Sequence, residues 1–414
     1  FYVFTNFYPR MDTTNEQARE ILPWIEDNTQ DQGQRRDLEA EDIYYYPDLV
    51  SPYYLVIGQL SLETMNQEVI TKGFLGLSGE LYVSFDHVFV ATYDNTYQYL
   101  DFLGISNYQY TTFTRISKIR LSDITWLATN RVAGNIKDRY SLDEYQGYLR
   151  IATTTNDWNN ALHTLHNNLY VLNTSLQVVG KIERIAPDEF IYAMRFQQAE
   201  ATMVTFRQID PIFKINLSNP FSPTISQGLK EDGVSYYLHP IPGSDLVLGL
   251  GYDTQESQWG GVVFNGVKLS LYDMSGPEAI NISTVIFEGA WTYAEAIYNP
   301  KAIFFDEENG LFGFAMETWV SHPQMGSRLD AQGLYVFSYL DQELSDYAFL
   351  TNLPSDIDYQ DWQAYTRLYT NYVQRGARIG DYVYTISEQQ LQSFLVTDLS
   401  WYQTLVLWRD ENKT

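Results

Sequence analysis

Residues 191–230 read IYAMRFQQAEATMVTFRQIDPIFKINLSNPFSPTISQGLK. The stretch holds four short runs rich in β-branched and aromatic residues, each ending at a polar, Asp-Pro or Asn-Pro break. This pattern predicts four antiparallel strands joined by hairpins. Alternate residues of the third run, Phe213, Ile215 and Leu217, give that strand one apolar face that suits a neighbouring sheet. A lone sheet of this kind cannot bury both of its faces, so it must stack against sheets like itself.

The same unit of paired strands recurs along the chain at intervals of roughly 45 to 65 residues, a spacing typical of β-propeller blades rather than of helical repeats. Residues 1–6 begin the first blade, and six further blades follow: 53–132, 141–182, 191–230, 236–287, 301–350 and 375–408. The sequence therefore predicts an all-β chain whose residues 1–414 form one domain, a seven-bladed β-propeller of four-stranded antiparallel blades. Six blades are the alternative if the first blade is incomplete.

Residues 9–46 interrupt the first blade with a different pattern. A threonine cap and a short apolar face that ends at Ile25 predict one short helix, and the charged run after it predicts a loop. Such an insertion is either a tolerated surface excursion or a partner-binding lid. Its candidate aromatic anchors for a partner are Trp24, Tyr44, Tyr45 and Tyr46.

The charge of the chain excludes several classes of partner. Lys and Arg number 26 against 52 Asp and Glu, so the net charge is −26. Such a surface repels the phosphate backbone of nucleic acids and the headgroups of anionic lipids. Cysteine is absent, which excludes disulfides, thiolate metal sites and cysteine nucleophiles. No apolar run reaches the roughly 18 residues of a membrane-spanning helix.

Several charged or titratable residues recur near the starts of successive blades, where the innermost strands of a propeller line its central channel. Facing carboxylates and guanidinium groups there would bind a polar ligand or perform acid–base chemistry. The alternative is that they join adjacent blades through ion pairs and backbone hydrogen bonds. The candidates are Asp143, Glu144, Arg150, Glu189, Arg195, His239 and Lys301.

Two segments carry weak patterns for metal binding. In SDIDYQD the alternating carboxylates of Asp356, Asp358 and Asp361 could converge on one calcium ion, although the glycine and closing glutamate of an EF-hand are absent. In ALHTLH, His163 and His166 would share one face of a helix, but no third ligand is near. The alternatives are a solvated acidic loop and an ordinary polar loop. No organic cofactor is indicated, because phosphate loops and dinucleotide fingerprints are absent. A nucleophilic serine is not indicated either, because the sequence has no G-x-S-x-G elbow.

Five blocks in order carry a family resemblance: SLDEYQGYLRIATTT, NNLYVLNTSLQVVGKIERIAPDEFIYAMRF, VTFRQIDPIFKINLSNPFSP, SYYLHPIPGSDLVLGLG and KLSLYDMS. Together they resemble the secreted prokaryotic proteins with a C-terminal β-propeller domain distantly related to WD-40 repeats, over about residues 53–316. The family pattern has an Asp-His pair before the position of Lys301, where this chain has Asn299 and Pro300. The resemblance implies a propeller fold and a location outside the cell or at its surface, and it transfers no catalytic residue.

Two functions are compatible with these patterns. The favoured hypothesis is a non-enzymatic module that binds or scaffolds a protein or glycan partner in the cell envelope or outside the cell. The alternative is a hydrolase or lyase that acts on a polysaccharide or peptide at the central channel. A glycosidase that used Asp143 and Glu144 would need their carboxyl groups to face each other about 5 to 10 Å apart across a cleft.

Overall fold

The computed structural model describes residues 1–10, 21–26, 33, 35–45, 51–61, 69–102, 105–159, 162–206, 210–256, 262–289, 291–323, 326–357, 361 and 368–407. Within these ranges the chain is all-β and contains no α-helix. The short 3-10 turns there are Ala40–Asp42, Arg139–Ser141, Glu295–Ile297, Pro300–Ala302, Leu340–Gln342 and Tyr369–Asn371. Most of the helix predicted in the insertion falls on residues 11–20, outside the described residues. Its expected end was wrong, because Ile25 lies in a β-strand.

The chain divides into two compact units. The first contains Phe1–Glu189 and Asn219–Pro223, and the second contains Phe190–Ser218 and Thr224–Thr414. Each unit is a series of β-sheets whose strands are mainly antiparallel.

The first unit opens with a four-stranded sheet and a two-stranded ribbon. Their strands are β1 (Tyr2–Phe7), β2 (Trp24–Glu26), β3 (Arg35–Asp37), β4 (Ile43–Tyr45), β5 (Tyr54–Gln59) and β6 (Ile70–Leu75). The sheet has the order β1-β5-β6-β4, in which β4 runs parallel to β6, and β2 pairs with β3. The insertion thus falls in sequence between β1 and β5, which are neighbours in the sheet, and its strand β4 is the fourth strand of that sheet.

The next strands of the first unit form two sheets. They are β7 (Glu80–Val83), β8 (His87–Tyr93), β9 (Thr96–Phe102), β10 (Ile105–Thr111), β11 (Phe113–Arg120), β12 (Thr125–Ala133), β13 (Leu142–Tyr145), β14 (Tyr148–Asn159), β15 (Leu162–Leu172) and β16 (Val178–Ile185). The second sheet has the order β12-β11-β8-β7, and the third has the order β16-β15-β14-β10-β9, with β13 also paired to β14. In sequence, the hairpin β9–β10 lies between β8 and β11 of the second sheet, but its strands pair with the third sheet.

This pairing corrects the predicted division between the first two blades. Strands β5 and β6 were expected to join β7 and β8 in one blade, but β5 pairs with β1 in full register from Tyr2 opposite Gln59 to Phe7 opposite Tyr54. Nearness in sequence was a poor guide here because the insertion separates β1 from its partner. The first blade therefore has four strands, and the condition for a six-bladed alternative is not met.

The second unit contains four sheets. Their strands are β17 (Phe190–Gln197), β18 (Glu200–Phe206), β19 (Asp210–Asn216), β20 (Thr224–Ile225), β21 (Leu229–Glu231), β22 (Val234–Pro240), β23 (Leu246–Glu256), β24 (Val262–Asp273), β25 (Ile280–Glu288), β26 (Ile303–Asp306), β27 (Leu311–His322), β28 (Gly326–Ser338), β29 (Ser345–Leu350), β30 (Arg375–Ile379), β31 (Tyr382–Ile386), β32 (Gln390–Leu395) and β33 (Trp401–Val406). Each sheet follows the order of the chain, and β21 pairs with β19 beside β20. The described residues thus form seven sheets of four or more strands, as expected for seven blades.

Successive sheets within each unit are joined by apolar side chains. In β8, Val88 and Val90 lie in the cluster shared with the first sheet, whereas Phe89 and Ala91 lie in the cluster shared with the third. All four side chains are at most 3% exposed. Because successive residues of a strand point to opposite faces, one strand supplies both contacts. In the second unit, β23 does the same with Val247 on one side and Leu248 on the other.

The close approach of strands in the second unit gives a test of this packing. A Cβ atom added to Gly251 in β23 would lie 1.8 Å from the carbonyl oxygen of Val234. We expect Gly251→Ala to force β22 and β23 apart and to lower the free energy of unfolding by about 2 kcal/mol. The matched control is Gly276→Ala, where the nearest atom, the Glu278 carbonyl oxygen, lies at 3.6 Å. Equal midpoints for the two variants in urea denaturation would contradict the packing.

Candidate functional site

Asp143 and Arg150 form an ion pair inside the third sheet. The two residues lie opposite each other in the register of β13 and β14. The Nε atom of Arg150 donates to Oδ2 of Asp143 at 2.9 Å, and the guanidinium also lies 4.9 Å from the ring centre of Tyr145. Arg150 is only 3% exposed, so the Asp143 carboxylate neutralises a buried cation.

Glu144 connects the third sheet to the second. Its carboxylate accepts hydrogen bonds from Ser84 Oγ at 2.5 Å and from Lys118 Nζ at 3.2 Å, and it lies 2.9 Å from His87 Nδ1. Burial alone would raise the pKa of this carboxyl, but the hydrogen bonds from Ser84 and His87 and the charge of Lys118 hold the pKa below its usual range. Glu144 is therefore an ionised bridge between two blades.

The positions of Asp143 and Glu144 decide whether their carboxylates could act as a catalytic pair. Asp143 and Glu144 are consecutive residues of β13, so their side chains leave opposite faces of the strand. Each is also held by at least one cation. The pair thus lacks the facing geometry that a two-carboxylate glycosidase requires.

Two of the remaining charged candidates meet in the second unit. The guanidinium of Arg195 lies 4.6 Å from the ring centre of Tyr237, whose hydroxyl lies 2.9 Å from His239 Nδ1. The imidazole of His239 also packs 4.4 Å from the ring of Phe305. Burial, and then the charge of Arg195, lower the pKa of His239 to about 4. This histidine is accordingly neutral at physiological pH.

Glu189 and Lys301 both take part in hydrogen bonds of the backbone. The backbone carbonyl of half-buried Glu189 accepts from Asn167 Nδ2 at 3.1 Å. Lys301 is exposed at the start of a 3-10 turn, where its backbone N–H donates to Asn299 Oδ1 at 3.2 Å. Asn299 thus caps the turn at the position where the family pattern has aspartate.

The aromatic candidates of the insertion differ in their exposure and in the side chains that they contact. Trp24 is exposed on the ribbon of β2 and β3, with the Arg35 guanidinium 4.7 Å from its ring centre. Tyr44 stacks on buried Phe74 with ring centres 5.1 Å apart, whereas Tyr45 is exposed. Tyr46 lies outside the described residues. Trp24 and Tyr45 are thus the accessible members of this set.

Neither metal pattern is completed by the described residues. Among them, no three His, Asp or Glu side chains form a group that could hold a metal ion. Asp356 and Asp361 are described but Asp358 is not, so the calcium site stays a prediction. The helix expected for His163 and His166 was wrong, because both lie in β15, and three-residue spacing in a strand places them on opposite faces.

One surface was missed at the level of sequence. Aromatic residues stand opposite one another across four neighbouring strands: Tyr97 faces Tyr110, Tyr110 faces Trp158, and Trp158 faces His163. A second row on β9 and β10 pairs Tyr99 with Tyr108. We call this set, Tyr97, Tyr99, Tyr108, Tyr110, Trp158 and His163, the aromatic face. Tyr97 and Tyr99 are 60% and 58% exposed, and Trp158 is 41% exposed.

Ring contacts and hydrogen bonds order the aromatic face. The rings of Trp158 and His163 stack at 4.2 Å with an interplanar angle of 19°, and the rings of Tyr97 and Tyr108 meet edge to face at 4.8 Å. His163 Nε2 lies 2.7 Å from Asn156 Oδ1, and Asn95 Nδ2 donates to the Tyr110 hydroxyl at 2.9 Å.

A separate contact anchors the hairpin that carries the four tyrosines. Asp157 Oδ1 accepts from both the backbone N–H and the hydroxyl of Thr112, each at 2.8 Å. The Thr112 hydroxyl also accepts from the backbone N–H of Asn156 at 3.1 Å. These bonds fix the end of β10 to β14.

The sequence does contain a signal for this surface. In TYQYLDF and ISNYQYT, tyrosine alternates with polar residues, so one face of each strand is aromatic without the aliphatic residues of a buried blade. That alternation predicts a hairpin with one aromatic face. Only the pairing of β10 with β14 could add Trp158 and His163 to the same row.

Comparison with known proteins identifies the family. The model of the beta propeller domain family matches residues 1–399. An uncharacterized protein of Archaeoglobus fulgidus is 40% identical over 215 residues, which cover 51% of this chain and 29% of that protein. An uncharacterized protein of Methanocaldococcus jannaschii is 34% identical over 203 residues, 48% of this chain and 30% of that protein. The match thus spans less than a third of either relative's length.

A solved structure shows a more remote likeness. BamB from Moraxella catarrhalis is 8% identical, with a TM-score of 0.41 over 89% of this chain and 88% of that chain.

The described residues were also compared with the requirements for a membrane-spanning helix. None of their helices has the length and the apolar composition that crossing a bilayer requires.

The inter-blade bridge can be tested by removing its anion. Glu144→Gln would leave Lys118, which is 3% exposed, without its counter-charge, and we expect a loss of about 3 kcal/mol in the free energy of unfolding. The double variant Lys118→Met/Glu144→Gln should recover most of this loss, because no buried charge remains unpaired. Arg120→Gln, which breaks the exposed pair with Asp123 in the same sheet, is the matched control and should have no measurable effect. Equal urea midpoints for Glu144→Gln and the control would refute the bridge.

The buried neutral state of His239 makes stability depend on pH. The pKa of His239 is about 4 in the folded protein and about 6.5 in the unfolded chain, so the unfolded chain takes up a proton first as the pH falls. The contribution is present above pH 6.5, and we expect about 1 to 3 kcal/mol to be lost as the pH falls from 6.5 to 4. His239→Gln should flatten this part of the curve of urea midpoint against pH. Parallel curves for wild type and variant would show that another group is responsible.

Proposed function

The chain belongs to the beta propeller domain family, and from this premise we propose that it is a non-enzymatic module that binds or scaffolds a partner outside the cell or at its surface. The partner is a protein or a glycan of the cell envelope. Family membership supports the framework, whereas the role rests on the surfaces that this chain exposes.

The observation that carries the proposal is the aromatic face. Large aromatic side chains exposed side by side are rare on a soluble surface unless something covers them. Tyrosine and tryptophan also dominate the energetic centres of binding surfaces, because each buries a large area and loses little side-chain entropy. Here several such residues lie in register on adjoining strands.

The charged candidates support binding over catalysis. Asp143 and Glu144 hold buried cations, and the contacts of Glu144 join two blades. His239 packs against aromatic rings in its neutral form. Carboxylates that serve as counter-ions in this way stabilise the fold, and none of these contacts presents a pair of carboxyl groups to a substrate. A hydrolase or lyase acting on a polysaccharide or peptide therefore remains the weaker alternative.

The net charge of the protein disfavours some classes of partner. With a net charge of −26, the protein repels nucleic acids and acidic membrane surfaces at long range. The accessible Trp24 and Tyr45 of the insertion form a second candidate contact surface. We propose the aromatic face as the principal one because its residues adjoin in a continuous sheet.

The proposal predicts envelope binding that depends on the aromatic face. Purified protein should sediment with cell envelopes isolated from its own organism, and Tyr99→Ala/Tyr108→Ala should reduce the bound fraction at least tenfold. The matched variant Trp24→Ala/Tyr45→Ala removes two aromatic residues from the insertion and should bind like wild type.

Thermal unfolding of all three proteins would show that the exposed substitutions leave the fold intact. Absence of sedimentation by the wild type would refute the proposed function. Loss of binding only in the insertion variant would move the contact to the insertion.

A further inference from the structure

We propose that the aromatic face binds an uncharged glycan, laid across strands β9, β10, β14 and β15. The inference rests on the proposed binding function and names the chemical class of the partner. The observation behind it is the row Tyr97, Tyr110, Trp158 and His163, which crosses these four strands without interruption.

The shape of the row suits an extended chain of sugar rings. Neighbouring strands lie about 4.8 Å apart, so a row across four strands is roughly 14 Å long. Such a row has the length of a short oligosaccharide rather than of a single sugar. The parallel stack of Trp158 on His163 holds the exposed indole in a fixed orientation. A pyranose ring presents an apolar face of C–H groups, and this face packs well on a flat aromatic ring.

The polar groups of the face suit the hydroxyl groups of a sugar. The Tyr110 hydroxyl accepts from Asn95 and can still donate, while Asn156 lies beside His163 on the same face. Tyrosine hydroxyls and side-chain amides both donate and accept hydrogen bonds, as sugar hydroxyls require. Aromatic rings with such groups at their edges provide stacking and orientation together.

The charges favour a neutral ligand. None of the aromatic face residues is a carboxylate, lysine or arginine, although the chain as a whole carries −26. An anionic polymer would be repelled by the field of the whole protein, and the face has no lysine or arginine to hold it. A second copy of this chain is disfavoured for the same reason. A cationic partner would gain more from the acidic surfaces than from this face.

The face is held in place before any ligand arrives. Asp157 fixes Thr112 through two hydrogen bonds of 2.8 Å, so the tyrosine hairpin is tied to the strand that carries Trp158. Binding then costs little additional ordering of the protein, which favours affinity for a weakly held ligand such as a sugar.

Isothermal titration calorimetry with defined probes tests the inference on the full chain. The probes are the neutral hexasaccharides maltohexaose, cellohexaose and mannohexaose, with an acidic oligogalacturonide as the charged comparison. We expect at least one neutral probe to bind and the acidic one not to bind. Trp158→Ala should weaken that binding at least tenfold, and Tyr97→Ala several-fold. Trp291→Ala, which removes a 71% exposed tryptophan from the second unit, should leave binding unchanged.

Three results would overturn the inference. They are the absence of binding to every neutral probe, equal weakening by Trp291→Ala and Trp158→Ala, and preference for the acidic probe. Thermal unfolding of each variant shows whether weaker binding comes from the missing aromatic side chain or from an unfolded protein.

Envelope sedimentation after periodate oxidation, which cleaves the vicinal diols of sugars, separates this inference from the proposed function. Binding that survives oxidation yet still requires Tyr99 and Tyr108 would leave the function standing with a protein partner and would overturn the glycan. Absence of envelope binding before oxidation would remove the function itself.

Discussion

The structure depends on one constraint, which is that the inner strands of a blade must bury both of their faces. Strand β8 shows this most clearly, since Val88 and Val90 enter one inter-sheet cluster while Phe89 and Ala91 enter the next. A half-solvated sheet would alternate apolar and polar residues, but β8 reads as an almost continuous apolar run. A sheet built on such strands is therefore stable only when both of its faces are covered. This requirement explains why sheet follows sheet along each unit.

The same constraint requires that charged side chains buried between the sheets be paired. Arg150 and Lys118 are nearly fully buried, and a buried cation is costly unless a carboxylate and further hydrogen bonds accompany it. Asp143 and Glu144 supply these carboxylates, and Ser84 and His87 complete the surroundings of Glu144. Clusters of charged residues that resemble an active site in the sequence can thus be the polar part of inter-blade packing.

The aromatic face lies where strands extend beyond the buried clusters, so that this constraint no longer applies. Strands β14 and β15 run on past the buried clusters, and the β9–β10 hairpin joins them there. Side chains in this extension are free of the need to fill a core, and tyrosine, tryptophan and histidine occupy one face of it. The fold thus positions an exposed aromatic surface on a strongly acidic protein. The proposed binding surface and the blade packing thus occupy different parts of the same strands.

The sequence by itself determined the all-β class, the repeated sheets and their number, because period-two alternation and turn residues are local properties of the chain. It also contained the alternating tyrosines of β9 and β10. Only the tertiary structure decided that β5 pairs with β1, that Glu144 meets Lys118, and that Tyr110 lies beside Trp158. Those contacts join residues far apart in sequence, and no local pattern encodes which strand edges meet. His163 illustrates the limit, since a spacing that indicates one face of a helix places residues on opposite faces of a strand.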